Sequence, residues 1–437
     1  MRIFIRNFGC PANLADGETM AGCLSENGHE VVSQSSNADI VIYNTCAVKS
    51  PTENRVISAL RKVPPGKRII VTGCLPLINP ERLNVEVRFN GVTGPGLGSR
   101  IVDVVREVSA AGNVSAVDGA LSSMPSLLLP RIRLNPTIGI VTVSHGCSGS
   151  CAYCCVTLAR GKLRGYRVEE IADRFKRDLN EGVKEFWITS QDVASYGRDI
   201  GTNLVELLRA IGSVEGDFKV RIGMMTPSSA KDILEEMTEV FRDSHIFRFI
   251  HLPVQSGSNE TLKRMRRFYT TDDFRDIVNA FRSKAPDLTL ATDIICGFPG
   301  ESEEAFEETL NLIHKTKPDV VNISRFFPRP NTLATQMASH YISRHEINRR
   351  SSEATKLSRR IALERNQRWI GWVGDILVDE AGRIPRTWIG RNYAYKPVVV
   401  KSRLDLLGRT LRVRVARAFW THLEADITEE IFYADTS

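Results

Sequence analysis

Residues 138–155 read IGIVTVSHGCSGSCAYCC: an apolar run of strand character, then Cys147, Cys151 and Cys154 spaced four and three apart. Thiols spaced this way just past a strand can face one point in a tight loop. Three cysteines leave one iron of a four-iron cluster without a protein ligand, and an open iron is a place for chemistry. A zinc knuckle would need a fourth ligand, which Cys155 or His145 could supply.

Outward from this loop, IGIVTVS is the first of six strand patterns, followed by EFWITSQ, KVRIGMM, FRFIHLPV, LTLATDII and DVVNISRFF. Helical patterns alternate with them at 168–181, 203–211, 230–241, 271–284 and 303–315. Six such units over 135–368 predict an α/β fold, a partial (β/α)6 barrel open on one side. Barrels of this class do their chemistry at the C-terminal strand ends. The three-cysteine loop lies at the first end, residues 190–192 (SQD) at the second, Thr226 at the third, 255–258 (QSGS) at the fourth and 296–300 (CGFPG) at the fifth.

Upstream, residues 1–112 alternate short strands with helical patterns, which predicts an open parallel α/β sheet. IFIRNF leads to Cys10, DIVIYNT to Cys46 and RIIVTG to Cys74, with helical stretches near 14–26 and 52–62. Each cysteine sits just past its own strand. The C-terminal strand ends of such a sheet form one crevice, so three cysteines distant in sequence are expected to meet there. Cys23 and Cys296 fall inside element patterns and read as packing residues. Residues 113–134 read as a linker with small, polar and proline punctuation.

Downstream, 344–368 is a basic helical pattern with Ile347, Ala354, Leu357 and Ile361 on one face. Its Arg349, Arg350, Arg359 and Arg360 read as a solvated face. Residues 369–437 turn to short strands with glycine turns, a small β-barrel of the sort that binds oligonucleotides. Residues 365–417 carry twelve Lys/Arg against four Asp/Glu, a bias that suits a polyanion. Trp388, Tyr393, Tyr395 and Trp420 among those cations suit base stacking or a small core.

The 437 residues are 42% hydrophobic and 25% charged, which allows two or three ordinary globular domains and excludes a disordered or fibrous chain. No apolar run approaches the length of a membrane span, and the N-terminus enters a strand without a signal-peptide pattern, so a cytoplasmic protein without membrane attachment is expected. Nine cysteines in a reducing compartment favour metal or thiol chemistry over disulfides.

The three-cysteine loop with Tyr153 before its last thiol resembles the signature of radical S-adenosylmethionine (SAM) enzymes. With both cysteine sets placed, the whole chain resembles the methylthiotransferases. The matching blocks are FGCPANLADGETM, YNTCAVKSPTEN and VTGCLP, then GCSGSCAYC, ARGKLRGY, LPVQSGSNETLKRMRR, TDIICGFPGES and FFPRPNT. DGETMAG, TSQDVASYG, RIGMMTP and TDIICGFPGE are most similar to the archaeal and eukaryotic-type branch that acts on threonylcarbamoyladenosine in tRNA.

The resemblance implies a three-cysteine N-terminal domain, a radical SAM barrel and a C-terminal TRAM domain of OB-like form. It implies two 4Fe–4S clusters, one on Cys147, Cys151 and Cys154 and one on Cys10, Cys46 and Cys74, with SAM on the open iron of the first. Tyr153 would shape that loop, and Gln191, Gln255 and Asp293, at strand ends, are candidates for orienting the ribose or methionine end of SAM. The implied reaction inserts a methylthio group at carbon 2 of the modified adenine beside the anticodon. Its partners would be the tRNA anticodon loop and an electron donor such as a flavodoxin or ferredoxin, with the sulfur donor unspecified. Isopentenyladenosine tRNA and ribosomal-protein aspartate are the substrates of sister branches. An iron–sulfur RNA-binding regulator is the reading from outside the enzymes. The chain departs from the family pattern at Cys155, at Asn331 where a turn glycine is expected, and at Gly165 where a small hydroxyl residue is expected.

Overall fold

The computed structural model describes residues 1–116 and 124–431; positions 117–123 of the expected linker and 432–437 of the tail lie outside them. In the N-terminal part, β1 (Arg2–Asn7), β2 (Glu30–Val31), β3 (Ile40–Thr45), β4 (Arg68–Gly73), β5 (Gly91–Thr93) and β6 (Val114–Ala116) form one sheet. Its order is β2-β1-β3-β4-β5-β6, and every pairing is parallel. The alternating apolar residues of β3 and β4 bury both faces. Val41, Tyr43 and Val71 pack under Val56, Ile57 and Leu60, and Ile40, Ile42 and Ile70 under Met20, Leu24 and Val105. Parallel sheets are stable only when covered on both sides.

The central part begins with β7 (Ile138–Thr142) and a short antiparallel pair, β8 (Ser144–His145) with β9 (Arg164–Gly165). The parallel series continues with β10 (Glu185–Thr189), β11 (Lys219–Ile222), β12 (Phe249–His251), β13 (Thr289–Cys296) and β14 (Val320–Arg325). The order is β7-β10-β11, then β12-β13-β14, with parallel bridges Val220↔Ile246 and Met224↔His251 joining the two halves. This is the expected open six-strand barrel. Helix Val168–Asn180 turns Ile171 and Phe175, one turn apart, toward the sheet, and Phe175 stacks on Phe186 at 4.1 Å.

One expected helix, 230–241, is two: Pro227 fixes the first turn of Pro227–Lys231, and the chain restarts at Ile233 to give Leu234–Val240. The barrel's open side receives helix Pro11–Glu26 of the N-terminal part, whose Leu14 and Ala15 pack on Ile138, Ile140 and Trp187. The long helix Arg344–Gln367 closes the other flank. Its Arg350 is buried rather than solvated, because Glu301 and Glu346 take its guanidinium at 2.9 and 2.7 Å and pin the helix to the loop after β13. Arg349 likewise meets Glu303, Glu346 and Glu353.

β15 (Val373–Ala381), β16 (Thr387–Arg391), β17 (Pro397–Lys401), β18 (Thr410–Ala418) and β19 (Leu423–Ile431) form a closed barrel in the order β15-β16-β17-β19-β18. It docks beneath the central barrel through Lys396 and Arg365, which share the buried Asp319 carboxylate at 2.8 and 3.0 Å. Tyr395, whose sequence context suits base stacking or a small core, is half-buried at that junction. A left-handed turn (φ 60°) sends its ring between Phe247 and Phe249, with Arg221 over it and Glu185 accepting its hydroxyl at 3.1 Å. Tyr393 packs with Trp369 and Trp372, and Trp388 against the small core, leaving Trp420 as the exposed member of the four.

Candidate functional site: two cysteine sets at one domain junction

Strands β1, β3 and β4 are neighbours in the sheet, and Cys10, Cys46 and Cys74 follow their C-terminal ends. Side chains stitch these ends together. Asn44 donates to Asn7 and to the Asn13 carbonyl at 2.9 and 2.6 Å, which ties the Cys10 turn to β3. The Thr45 hydroxyl donates to the Thr72 carbonyl at 2.6 Å and accepts from the Leu75 N–H, which ties β3 to the Cys74 turn. Gly73, at φ 92°, is required there: a Cβ would sit 2.3 Å from the Thr45 oxygen. Cys10 is exposed at the head of its helix, and Cys74 is buried, its thiol pushed up to about 11 by burial, with Arg160 acting in the opposite sense. Cys46 is also raised by burial, and it feels the charge of Cys10.

The second set sits at the barrel mouth. Gly146 (φ 76°) turns the chain out of β8 against the Lys162 carbonyl, 2.0 Å from where a Cβ would stand. The Cys147 N–H then donates to the Gly161 carbonyl, and Ala152 is gripped by the Met265 carbonyl and the Ala334 N–H at 2.9 and 2.8 Å. Each of the three thiols faces an N–H donor: Gly149 to Cys147 at 3.2 Å, Val156 to Cys154 at 3.5 Å, and the Arg267 Nη1 to Cys151 at 3.2 Å. Such donors favour thiolate, the form that ligates metal. Without a metal the surroundings oppose it, since burial raises Cys147 and pushes Cys154 up to about 12. Deprotonation is therefore coupled to metal binding.

The donor chemistry fits an iron–sulfur group in both sets: three thiols each, all nine cysteines free, and no fourth ligand beside the loop. His145 is held neutral, its imidazole lowered to about 3 by burial, and meets the Tyr166 hydroxyl at 3.2 Å. Cys155 turns away into the core around Tyr43, Cys74 and Leu75. The zinc reading thus lacks its fourth ligand. Among the described residues no three Cys, His, Asp or Glu side chains close on a single ion, the two cysteine sets included, so each set would draw together when it takes up its cluster. Asn331 adopts φ 59°, the left-handed turn its glycine-like position requires. The Gly165 N–H donates to Asp199 at 2.7 Å.

Tyr153 packs edge-on to Phe298 at 6.3 Å in the wall beside the loop. Gln191 has a buried Oε1 without a partner. Gln255 holds a left-handed φ of 70°, its N–H on the Asp293 carbonyl and its carbonyl accepting from Ile295. The Asp293 carboxylate accepts from Asn322 at 2.7 Å and meets the His251 imidazole at 3.1 Å, and it stays partly exposed. Asp192, beside Gln191, clips Thr226 and Ser229 at 2.6 and 2.8 Å and so fixes the second and third strand ends.

Two arginines join the site that sequence reasoning did not single out. Arg267, last of the basic run KRMRR, lies half-buried against Cys151 with its other donors on Tyr269 and the Pro253 carbonyl. Arg160, in ARGKLRGY, crosses to the N-terminal set and pairs with Asp16 at 2.8 Å. Both lay in quoted motifs, but only tertiary contacts show which cation of each run turns inward.

Comparison with known proteins gives the same outline. Residues 141–313 match the Radical SAM superfamily and residues 2–94 match the Uncharacterized protein family UPF0004. A Pyrococcus abyssi (strain GE5 / Orsay) protein named "Probable threonylcarbamoyladenosine tRNA methylthiotransferase" is 40% identical over 88% of this chain and 90% of its own. The Homo sapiens "Threonylcarbamoyladenosine tRNA methylthiotransferase" is 34% identical over 95% of this chain and 72% of its own. Among solved structures, the radical S-adenosylmethionine methyltransferase TsrM from Kitasatospora setae, solved with cobalamin and a 4Fe–4S cluster bound, superposes with a TM-score of 0.55 at 14% identity, over 76% of each chain. That likeness concerns the fold.

Proposed function

We propose a function from one premise: the chain belongs to the threonylcarbamoyladenosine tRNA methylthiotransferase family, at 34 to 40% identity over most of its length. It is a radical SAM enzyme that places a methylthio group on threonylcarbamoyladenosine in tRNA, at carbon 2 of the adenine beside the anticodon. The observation that supports this reading best is that the barrel's cysteine loop runs into the core beneath the N-terminal cysteine turns. Cys155, the neighbour of Cys154, packs in the same core as Cys74. One set alone would suit many radical enzymes; a sulfur-inserting enzyme needs a second site that holds sulfur.

Bound here, the two 4Fe–4S clusters and SAM supply one-electron chemistry able to replace an aromatic hydrogen. The chain does the rest. Cys147, Cys151 and Cys154 hold the first cluster, with the Gly149, Val156 and Arg267 donors fixing their sulfurs. Tyr153 and Phe298 wall the SAM side, and Gln191, Gln255 and Asp293 orient the cofactor's polar ends. Cys10, Cys46 and Cys74 hold the second cluster. Lys49 donates to Ser324 at 2.8 Å, a solvent-facing link between the N-terminal part and β14.

The anticodon loop is the tRNA element that enters. Trp420, with Arg359 4.6 Å over its ring, presents a stacking face on the tail. A cleft of about 850 Å³ beside the Cys10 turn adds Arg6, Arg55 and Lys62 for phosphates. A flavodoxin or ferredoxin serves as electron donor. Nine free thiols suit the cytoplasm, and among the described residues no helix is long and apolar enough to cross a membrane. Expression in a bacterium whose tRNA carries threonylcarbamoyladenosine without a methylthio group tests the proposal: its nucleosides should gain the methylthio derivative, and unchanged nucleosides with soluble, cluster-bearing protein would refute it.

A further inference from the structure

Arg160 ends the short helix Val156–Arg160, just past the barrel's cysteine loop, yet its head group lies in the N-terminal cysteine crevice. Its side chain is 2% exposed. Nη2 donates to the Asp16 carboxylate at 2.8 Å, while Nη1 is buried without any hydrogen-bond partner. Cys74 and Cys10 lie within its electrostatic reach, and the guanidinium approaches the Cys74 thiol closely enough to favour its thiolate without a well-formed hydrogen bond from Nη1. A guanidinium kept only to pair with Asp16 would be expected to spend two parallel donors on the carboxylate. Here Nη2 is spent on Asp16, and Nη1 stays buried without a hydrogen bond on a guanidinium whose nearest thiol is Cys74. A buried donor left unpaired is costly, and each such case in a folded protein calls for a ligand or a role.

We propose that the free edge of Arg160 binds the small sulfur anion, hydrosulfide or methanethiolate, that enters the open position of the cluster on Cys10, Cys46 and Cys74. The inference rests on the two-cluster reading above. Three thiolate ligands leave that position among negative charges, so an incoming anion is repelled unless a fixed cation faces it. Arg160 is such a cation. Asp16 on one side and the packed helix on the other hold it in place, so little motion is needed when the ligand arrives. Because it comes from the barrel loop, the anion site is complete only when the two parts are docked.

The test uses full-length protein in which Cys147, Cys151 and Cys154 are all alanine, so that iron loads only the second set. The reduced cluster is titrated anaerobically with methanethiolate and read by electron paramagnetic resonance. Dimethyl sulfide serves as a neutral sulfur ligand of similar shape. Arg160→Gln with Asp16→Asn, which leaves no unpaired charge, should weaken methanethiolate at least tenfold and dimethyl sulfide less than twofold. Arg160→Lys should recover part of the loss. Equal loss for both ligands would mark a merely structural role and overturn the proposal, as would unchanged methanethiolate affinity. Failure of both variants to load iron, where the parent loads it, would overturn it in favour of a cluster-assembly role. Failure of the parent itself to load a second cluster would instead overturn the two-cluster reading.

Discussion

The Arg329 guanidinium of the FFPRPNT turn pairs with the buried Glu53 carboxylate of the N-terminal part. Glu53 also takes Arg82 and Asn79, each at 2.8 Å, and Arg329 reaches Ser50 at 3.1 Å. Arg329 lies beside Cys155 as well, so this ion pair ties the N-terminal part to the central part next to the cysteine loop. Removing one partner of a buried pair strands the other charge, at a cost of about 3–5 kcal/mol. Arg329→Met should therefore lower the melting temperature by several degrees and cut methylthiolation more than tenfold. A variant with normal stability and turnover would show that the junction is not held here.

The division of labour between the thiols is separable. Cys74→Ala should abolish methylthio product while reduction in the presence of SAM still releases deoxyadenosine. Cys151→Ala should abolish both. Chromatography of the small molecules together with the nucleosides reads the two outcomes in one reaction. Methylthio product from Cys74→Ala would contradict the second site.

Trp420 and Tyr395 should behave oppositely. Tyr395→Ala empties the junction between the two barrels and should cost about 3–5 kcal/mol of stability, as large aromatic truncations do. Trp420→Ala should leave melting unchanged and weaken tRNA by about 1–3 kcal/mol, the worth of one stacked base. Lys62→Glu should weaken tRNA too and make affinity less steep in salt, because it removes a phosphate contact. Fluorescence titrations at three salt concentrations distinguish the stacking contribution from the ionic one.

Glu185 gives the junction a pH dependence. Burial first, then the Asp379 charge, raises its carboxyl from 4.5 to about 7, while Trp187 and Tyr395 donate to Oε1 and Oε2 has no partner. In the unfolded chain the group ionises near its ordinary value, so the folded state keeps a proton that the unfolded chain loses across this window. The associated stability is fully present below about pH 4.5 and lost as pH rises through about 7. Glu185→Gln should match the parent near pH 5 and melt a few degrees higher at pH 8. A constant offset across pH would contradict the assignment.

Both cysteine sets were legible because their placement follows from short-range rules. The loop thiols share one short loop after β8, and Cys10, Cys46 and Cys74 each follow a strand of a parallel sheet whose strand ends are adjacent. Asn331 kept its left-handed turn for a local reason as well, the tolerance of asparagine for positive φ. What stayed hidden depends on packing between parts. The polar role of Arg160 is set by Asp16, 144 positions away, and that of Arg267 by Cys151, 116 positions away. Tyr395 suits either base stacking or the small core until the docked barrels show its ring against Phe247 and Phe249 of the central barrel. Arg350 reads as solvated until Glu301 is brought beside it.

The central claim is tested most directly by mass spectrometry of nucleosides from an anaerobic reaction of iron-loaded protein, SAM, a reductant, sulfide and tRNA bearing threonylcarbamoyladenosine beside the anticodon. The account predicts that this nucleoside gains one methylthio group in place of hydrogen, with deoxyadenosine formed alongside. Deoxyadenosine without any change in the nucleoside would contradict the substrate, and protein carrying both clusters that forms neither would contradict the enzyme.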